Sequence, residues 1–501
     1  MSLGRAIALL EQLSALGAHP AGISADSRAV APGDLFLAYP GFSSDGRAFI
    51  GDAVARGASA VLWEADDAHP PEALDVPNLP VQGLRDLVGY LADQVVGEPS
   101  RRLWVAGVTG TNGKTTVSQW LARSLQELGG RCGVIGTLGS GFPGALESGL
   151  HTTPDAVDVH RQLARFVSED ADAAALEVSS IGLDQGRVNG VRFDVAIHTN
   201  LTRDHLDYHG TMAAYADAKA RFFAWPDLSA AVINADDRFG AEQIAGLRAA
   251  GVRVIAYTLD AARPGGSCGS EWLWADGMAN TVAGQRFDLH WGARSVPLAP
   301  NSVGAFNVSN MMAVVGALLA RGVDFDEAAG VVGRMTAPEG RMQLIGGVAE
   351  PLVVVDYAHT PDALAQVLSA TRPTAAARGG RLICVFGCGG DRDPGKRPMM
   401  GEVAARLADR VYVTSDNPRG EAPDDIIAQI AAAAPGACCM ADRADAIRAA
   451  MREAGPDDVV LLAGKGHENY QEARGVRRPF SDLDEARRAL DRWRSDQEPG
   501  Q

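Results

Sequence analysis

Cysteine is scarce: the chain has six in 501 residues, at 132, 268, 384, 388, 438 and 439. None has a zinc-binding spacing, and Cys438 and Cys439 are adjacent. A disulfide-stapled fold and a zinc ribbon are therefore excluded, and reduced thiols of a cytoplasmic protein are expected. Long apolar runs are also missing. The longest, Met311–Ala320, is too short to span a bilayer and reads as a buried helix. The N-terminus shows no secretory pattern; Ile7, Leu9, Leu10, Leu13 and Leu16 instead mark an amphipathic helix. Positive charge is in deficit, with a formal net charge of −16. That balance argues against nucleic acid or an anionic membrane as partner, but not against small anions held by local clusters.

The most informative segment is Val108-Thr109-Gly110-Thr111-Asn112-Gly113-Lys114-Thr115-Thr116. An apolar run precedes it, and a helical pattern (Val117, Leu121, Leu125, Leu128) follows. A strand, a glycine turn, a lysine and a hydroxyl at a helix start form a phosphate cradle. Backbone N–H groups face the anion, Lys114 supplies a charge, and Thr115 can ligate Mg²⁺. Val108 stands where the first glycine of the common nucleotide loop belongs, so a chance Gly-Lys-Thr turn is the competing reading. The pattern points to ATP or GTP with magnesium.

The length suggests about three domains. Residues 1–98 mix short strands (Leu35–Ala38, Ala60–Trp63) with turns, and Gly97–Ser100 reads as a linker. Residues 99–337 alternate strands (Val105–Val108, Ala173–Leu176, Val195–His198, Ala231–Asn234) with helices, which implies a mostly parallel sheet. Residues 338–501 restart the series with Leu352–Val355, Leu382–Phe386, Arg410–Thr414 and Val459–Ala463. These strands end in polar turns, where open α/β sheets place ligands. The tail, Ser495–Gln501, is expected to fray.

Glu177 closes an apolar strand and is either a metal or nucleophile-orienting carboxylate or a plain strand-end acid. In Asp204-His205-Leu206-Asp207-Tyr208-His209, His205 reads equally as metal-facing or as structural or capping. Lys219 is a lone helical lysine, ordinarily a solvated group.

The segments Gly110–Thr116, Glu177–Ser180, Asp204–Gly210, Asn234–Asp237, Gly304–Asn307, Gly340–Met342 and Asp356–His359 occur in the order seen in Mur ligases. The chain thus resembles this family of ATP-dependent, amino-acid-adding enzymes of peptidoglycan synthesis over nearly its whole length. The resemblance is strongest to members that add the third residue, carried by Asp26-Ser27-Arg28, Pro32–Phe36 and Thr152-Thr153-Pro154. It implies an α/β protein of three domains: an N-terminal UDP-binding α/β domain, a central ATPase-like parallel-sheet domain with the phosphate loop, and a C-terminal Rossmann-like domain.

The resemblance also implies site roles. Ser27, Ser43, Ser44, Asp45, Thr152, Thr153, Ser179, Gln185 and Arg187 would contact a UDP-MurNAc-dipeptide, although Asp26–Arg28 also reads as an Asx-type turn. Gly110, Thr111, Asn112, Gly113, Lys114, Thr115, Thr116, Asn307, Arg341 and Asp356 would bind ATP. Lys219 would carry a CO₂-derived carbamate, joining Thr115, Glu177 and His205 around Mg²⁺, with Lys114 catalytic beside them. Arg392, Asp416, Asn417, Pro418, Arg419, Gly464 and Glu468 would receive the incoming amino acid. Arg419 suits a carboxylate, which meso-diaminopimelate carries at its far end and L-lysine does not; Glu468 suits the distal ammonium. Two positions depart from the family pattern: Ile181 replaces a histidine and Gln343 a glutamate. The expected partners are small molecules alone, with no nucleic acid and no membrane, and a monomer is expected. The rivals are a ligase with an L-lysine or folate-type acceptor, and a non-enzymatic nucleotide switch.

Overall fold

A computed structural model describes residues 2–41, 44–66, 74–149, 151–262, 271–281 and 284–497. The backbone divides into two compact units. One is built mainly from the chain up to Thr258 with Ala313–Asp324, the other mainly from Leu273–Met312 and the chain from Phe325 onward.

The first unit opens with a four-stranded parallel sheet, Gly22–Ser24, Asp34–Ala38, Ala60–Glu64 and Asn78–Val81. Helices Ser2–Ala15 and Leu84–Val95 cover one face, burying Leu9, Leu13, Leu87 and Leu91 against Leu35, Leu37 and Leu62. The expected linker is instead a 3₁₀ turn, Pro99–Arg101, with Pro99 and Ser100 buried. Ser100 Oγ accepts a bond from Arg192 N at 3.0 Å, which pins this segment down.

A larger sheet follows. Arg253–Thr258, Ala230–Asn234, Val195–His198, Trp104–Thr109, Ala173–Glu177 and Cys132–Gly136 run parallel in that order. The short antiparallel strands Gly139–Phe142 and Ala145–Glu147 close its edge. Glycine at 107 and 133 is required by packing: a Cβ there would enter the rings of Phe222 and Phe166 respectively.

In the second unit, Glu271–Thr281, Gly284–Trp291 and Arg294–Leu298 form an antiparallel ribbon that the strand pattern did not reveal. Beyond it lies a six-stranded sheet in the order Gln343–Gly346, Leu352–Asp356, Val459–Ala463, Leu382–Phe386, Arg410–Thr414, Cys438–Met440. Only the first pairing is antiparallel. Strand residues alternate between two cores. Leu352, Val354, Leu461, Cys384 and Phe386 meet helices Pro361–Arg378, Lys396–Leu407 and Pro423–Ala431. Val353, Val355, Leu462, Ile383 and Val385 meet Arg443–Glu453 and Asp482–Gln497. Both faces are covered, as a parallel sheet requires. The last helix runs through Gln497, so Ser495–Gln497 is helical rather than frayed, and Ser495 Oγ bonds Asp491 O.

Arg443 and Asp482 form an ion pair with both side chains fully buried, two N–H···O bonds of 2.7 and 2.6 Å holding them. Arg443 also donates to Ala463 O at 2.9 Å, tying together elements that lie behind the ligand edge of the sheet. Asp482→Ala strands that guanidinium without its counter-charge and is expected to cost about 3–5 kcal/mol. The check is the urea midpoint, and an unchanged midpoint contradicts the assignment.

The five cysteines among the described residues are free thiols; Cys268 lies outside those residues. Among the described residues no helix is long and apolar enough to cross a membrane. Helix Ala305–Arg321 contains the expected buried segment, with Met311, Met312, Val314 and Leu318 fully enclosed.

Candidate active site: a phosphate loop and an amino-acid edge

In the first unit the strand Trp104–Thr109 turns at Gly110, whose φ of 149° leaves no room for a side chain beside Thr199 Oγ1. Gly113, at φ 86°, opens helix Lys114–Glu127. The loop between them is clamped from the next strand end: Thr111 N donates to Asn200 O (2.8 Å), Asn112 N to Asn200 Oδ1 (3.0 Å), and Thr199 Oγ1 to Asn112 O (2.6 Å). These bonds fix a concave run of backbone at a helix N-terminus, an anion site by geometry and dipole.

Lys114 Nζ folds back onto Gly110 O and Thr111 O, both at 2.9 Å. Lys219 Nζ donates to the same Gly110 O at 3.0 Å and to Thr109 Oγ1 at 3.4 Å. The lysine read as solvated is in fact 1% exposed, on helix Met212–Phe223, and lies 4.9 Å from the Tyr215 ring centroid. Burial, and then the neighbouring charge of Lys114, push its amine well below the usual lysine range. Tyr215 OH shares a 3.0 Å bond with Thr111 Oγ1, so one residue supports both the loop and Lys219.

Glu177 ends its strand 1% exposed, enclosed by donors. Oε2 accepts from Thr115 Oγ1 and Thr137 Oγ1, each at 3.0 Å, and Oε1 from Thr137 N at 2.8 Å. This settles the strand-end alternative in favour of a buried, organised carboxylate. His205 adopts φ 52° at the start of helix Leu206–His209 and makes no side-chain cap bond. Its ring sits edge-on to Tyr215, and burial, opposed by Asp204 and aided by the charges of Lys114 and Lys219, lowers its pKa below the usual imidazole value.

The donor chemistry fits magnesium. Thr115 hydroxyl and Glu177 carboxylate are oxygens in contact at the helix start, and a hard cation takes its remaining ligands from phosphate and water. Among the described residues no three of His, Cys, Asp or Glu gather into a closed metal set.

The expected nucleotide-sugar contacts also converge. Thr153 Oγ1 donates to Glu177 O (2.7 Å) and pairs with Ser179 Oγ (3.0 Å). Arg187 donates to Thr153 O (2.7 Å) and Gln185 Oε1 (2.6 Å). Thr152 Oγ1 reaches Thr137 Oγ1 at 3.0 Å, so Thr137, which no motif flagged, joins this group to Glu177. Ser27 and Ser44–Asp45 follow the C-terminal ends of adjacent parallel strands of the N-terminal sheet, the side where α/β sheets bind ligands. Asp26 does form the Asx-type turn, accepting Arg28 N at 2.9 Å. Ser43 lies outside the described residues.

In the second unit, Asp356 accepts from Met342 N (2.9 Å) and Ala358 N (2.8 Å), and burial raises its pKa. It thereby fixes the Gly340–Met342 turn, which places the Arg341 guanidinium 4.7 Å from the Tyr357 ring centroid. Gln343, the departure from the family pattern, closes that turn through a 3.0 Å bond from Gly340 N. Nothing in the structure explains Ile181. Asn307 Nδ2 is committed to Val303 O at 2.8 Å.

The amino-acid candidates line the ends of Leu382–Phe386, Arg410–Thr414 and Val459–Ala463. Arg419, at φ 48°, is locked by Glu472 O and Arg474 N on its backbone, and its guanidinium rests on Gly390 O at 2.9 Å. Asn417 donates to Glu468 Oε2 at 2.8 Å. Gly464, at φ 114°, lies where a Cβ would come within 2.9 Å of Asp416 Oδ2. Arg392 is exposed nearby, its Cγ close to Gly389.

His467, whose pKa falls to about 4 through burial and then the charge of Arg341, predicts an acid sensitivity. The unfolded chain takes up this proton near pH 6.5 and the folded chain only near 4. Stability is therefore full above about pH 6.5 and declines toward 4 by at most about 1.4 kcal/mol per pH unit. Urea midpoints at pH 7 and 5 should differ less in His467→Asn than in the wild type; equal differences contradict this.

Fold and site together define a phosphate-loop α/β protein with a second, Rossmann-like unit whose strand ends carry a cluster of charged residues. Three families match in chain order: the Mur ligase family catalytic domain over residues 19–95, the Mur ligase middle domain over 108–318, and the Mur ligase glutamate ligase domain over 340–466. The chain belongs to the Mur ligase family, and it is an enzyme of the amide-forming ligase kind. It is 53% identical over 477 residues to the UDP-N-acetylmuramoyl-L-alanyl-D-glutamate--2,6-diaminopimelate ligase of Ectopseudomonas mendocina, covering 94% of this chain and 95% of that one. The same-named enzyme of Pseudomonas aeruginosa is 52% identical over 474 residues, with 94% and 95% covered. A solved structure of a ligase of that name superposes with a TM-score of 0.70 at 36% identity, covering 95% of each chain.

Proposed function

We propose that this protein joins meso-diaminopimelate to the D-glutamyl residue of UDP-N-acetylmuramoyl-L-alanyl-D-glutamate, using ATP, in the synthesis of peptidoglycan precursors. The observation that carries the reading is that a clamped phosphate loop and, separately, the strand-end residues Asp416, Arg419 and Glu468 occur in a chain about half identical to relatives with that name. Residues 1–98 hold the UDP-sugar, 99–337 the ATP, and 338–501 the amino acid.

The γ-phosphoryl group of ATP passes to the glutamyl side-chain carboxylate, forming the new P–O bond as the bond to ADP breaks and ADP leaves, and Lys114 screens the approach of these two anions. The amine of diaminopimelate attacks the acyl phosphate, the carbon–oxygen bond breaks, phosphate leaves and the amine's proton goes to solvent or a base. The protein supplies chiefly position and electrostatics. Thr115 and Glu177 would hold magnesium, which when bound would supply neutralisation of phosphate charge. Lys219, whose hydrogen-bond partners among the described residues are a carbonyl and a hydroxyl, is suited as a neutral amine to add to CO₂, forming an N–C bond and releasing one proton to leave an oxygen anion. His205 stands within the field of both lysines.

Phosphate release is expected only when ATP, magnesium, the UDP-linked dipeptide and meso-diaminopimelate are all present. Release that ignores the amino acid returns the protein to a nucleotide switch.

A further inference from the structure

Lys465 carries no role in the motifs above, yet its ammonium joins Asp416, Asn417 and Glu468, three of the expected amino-acid contacts. The side chain is fully buried. Gly464 and Gly466 flank it at φ 114° and 52°, a reversal that lets the lysine run inward. Nζ donates to Glu468 Oε2 at 2.9 Å and Asn417 Oδ1 at 3.3 Å, and lies 3.9 Å from Asp416 Oδ1. The Tyr470 ring centroid is 5.6 Å away.

Glu468 Oε2 thus receives two donors, Lys465 Nζ and Asn417 Nδ2, while Oε1 makes no hydrogen bond among the described residues. A carboxylate held at one oxygen by two short bonds has its other oxygen fixed in direction. Asn417 Oδ1 is itself shared between Lys465 and Glu472 N (2.9 Å), so the same ammonium steadies the segment leading to Arg419. Lys465 also offsets one of the two negative charges of Asp416 and Glu468, leaving one for an incoming ammonium.

We infer that Lys465 is a positioning residue for the incoming amino acid: it aims Glu468 at the substrate's distal ammonium by holding the oxygen turned away from it. The inference rests on the function proposed above. Losing a hydrogen bond to a charged group of this kind corresponds to about tenfold or more in binding.

The test is a double-mutant cycle of Lys465→Met, Glu468→Gln and both together, read as kcat and KM for each substrate. Lys465→Met should raise KM for meso-diaminopimelate about tenfold or more, with kcat and KM for ATP within about threefold. The double variant should be no worse than Glu468→Gln alone, because one residue acts through the other. An unchanged KM for diaminopimelate in Lys465→Met, or defects that multiply, overturns the inference while wild-type activity leaves the function standing. A wild type inactive with diaminopimelate overturns both. Should Lys465→Met fail to fold by circular dichroism, the double variant, whose glutamate charge is gone, is compared with Glu468→Gln. Equal KM values support the inference and a further rise overturns it.

Discussion

Lys219→Ala is expected to lower kcat by about a hundredfold to a thousandfold, the effect of deleting an organised electrostatic group beside a reacting phosphate. The expectation follows from where Lys219 lies: enclosed, next to Lys114, and bonded to the loop carbonyl that Lys114 also uses. Two ammonium groups on one carbonyl repel each other, and a neutral amine relieves that strain. A neutral amine is also the form that adds to CO₂. Bicarbonate enriched in ¹³C should therefore give a carbamate resonance in the wild type that is missing in Lys219→Ala, and removing dissolved CO₂ should reduce wild-type turnover. ATP binding, assigned in the proposed function to the loop backbone and Lys114, should change far less. A variant with wild-type kcat, or a carbamate signal indifferent to the substitution, contradicts the role.

The second large effect concerns Arg419. Its backbone is held on both sides and its guanidinium rests on Gly390 O, so the group is pre-placed with donors to spare. In the function proposed above a distal carboxylate would take up those remaining donors, whereas L-lysine would not. Arg419→Ala should cost about 2–5 kcal/mol in kcat/KM for meso-diaminopimelate, with little change for L-lysine. The preference between the two acceptors collapses while KM for ATP holds. If both acceptors suffer equally, Arg419 supports the fold of the pocket and does not read the substrate.

Local chemistry made much of this legible in the sequence. The phosphate loop declared itself because its glycines, lysine and threonines are contiguous, and the strands around it because buried parallel strands read as short apolar runs. Strands read at Val195–His198, Leu382–Phe386, Arg410–Thr414 and Val459–Ala463 have those bounds in the structure. What depended on distant residues was not legible. Nothing near Lys219 announces its burial, which Thr109, Gly110 and Tyr215 create together. Thr137 and Lys465 gain their importance from Glu177 and Glu468, and Arg443 from Asp482, none of which a periodicity can connect. The ribbon of Glu271–Leu298 escaped because its half-exposed strands carry a mixed composition with glycine and charge inside them. Gly97–Ser100 looked like a linker because glycine and proline punctuate a polar stretch. That the turn is buried was decided by Arg192, far along the chain.

The most direct measurement is a competition: purified protein with ATP, magnesium and the UDP-linked dipeptide, offered equal meso-diaminopimelate and L-lysine, with the products resolved by mass. The account predicts the diaminopimelate adduct in large excess, and loss of that excess in Arg419→Ala. Comparable amounts of the lysine adduct from the wild type would contradict it.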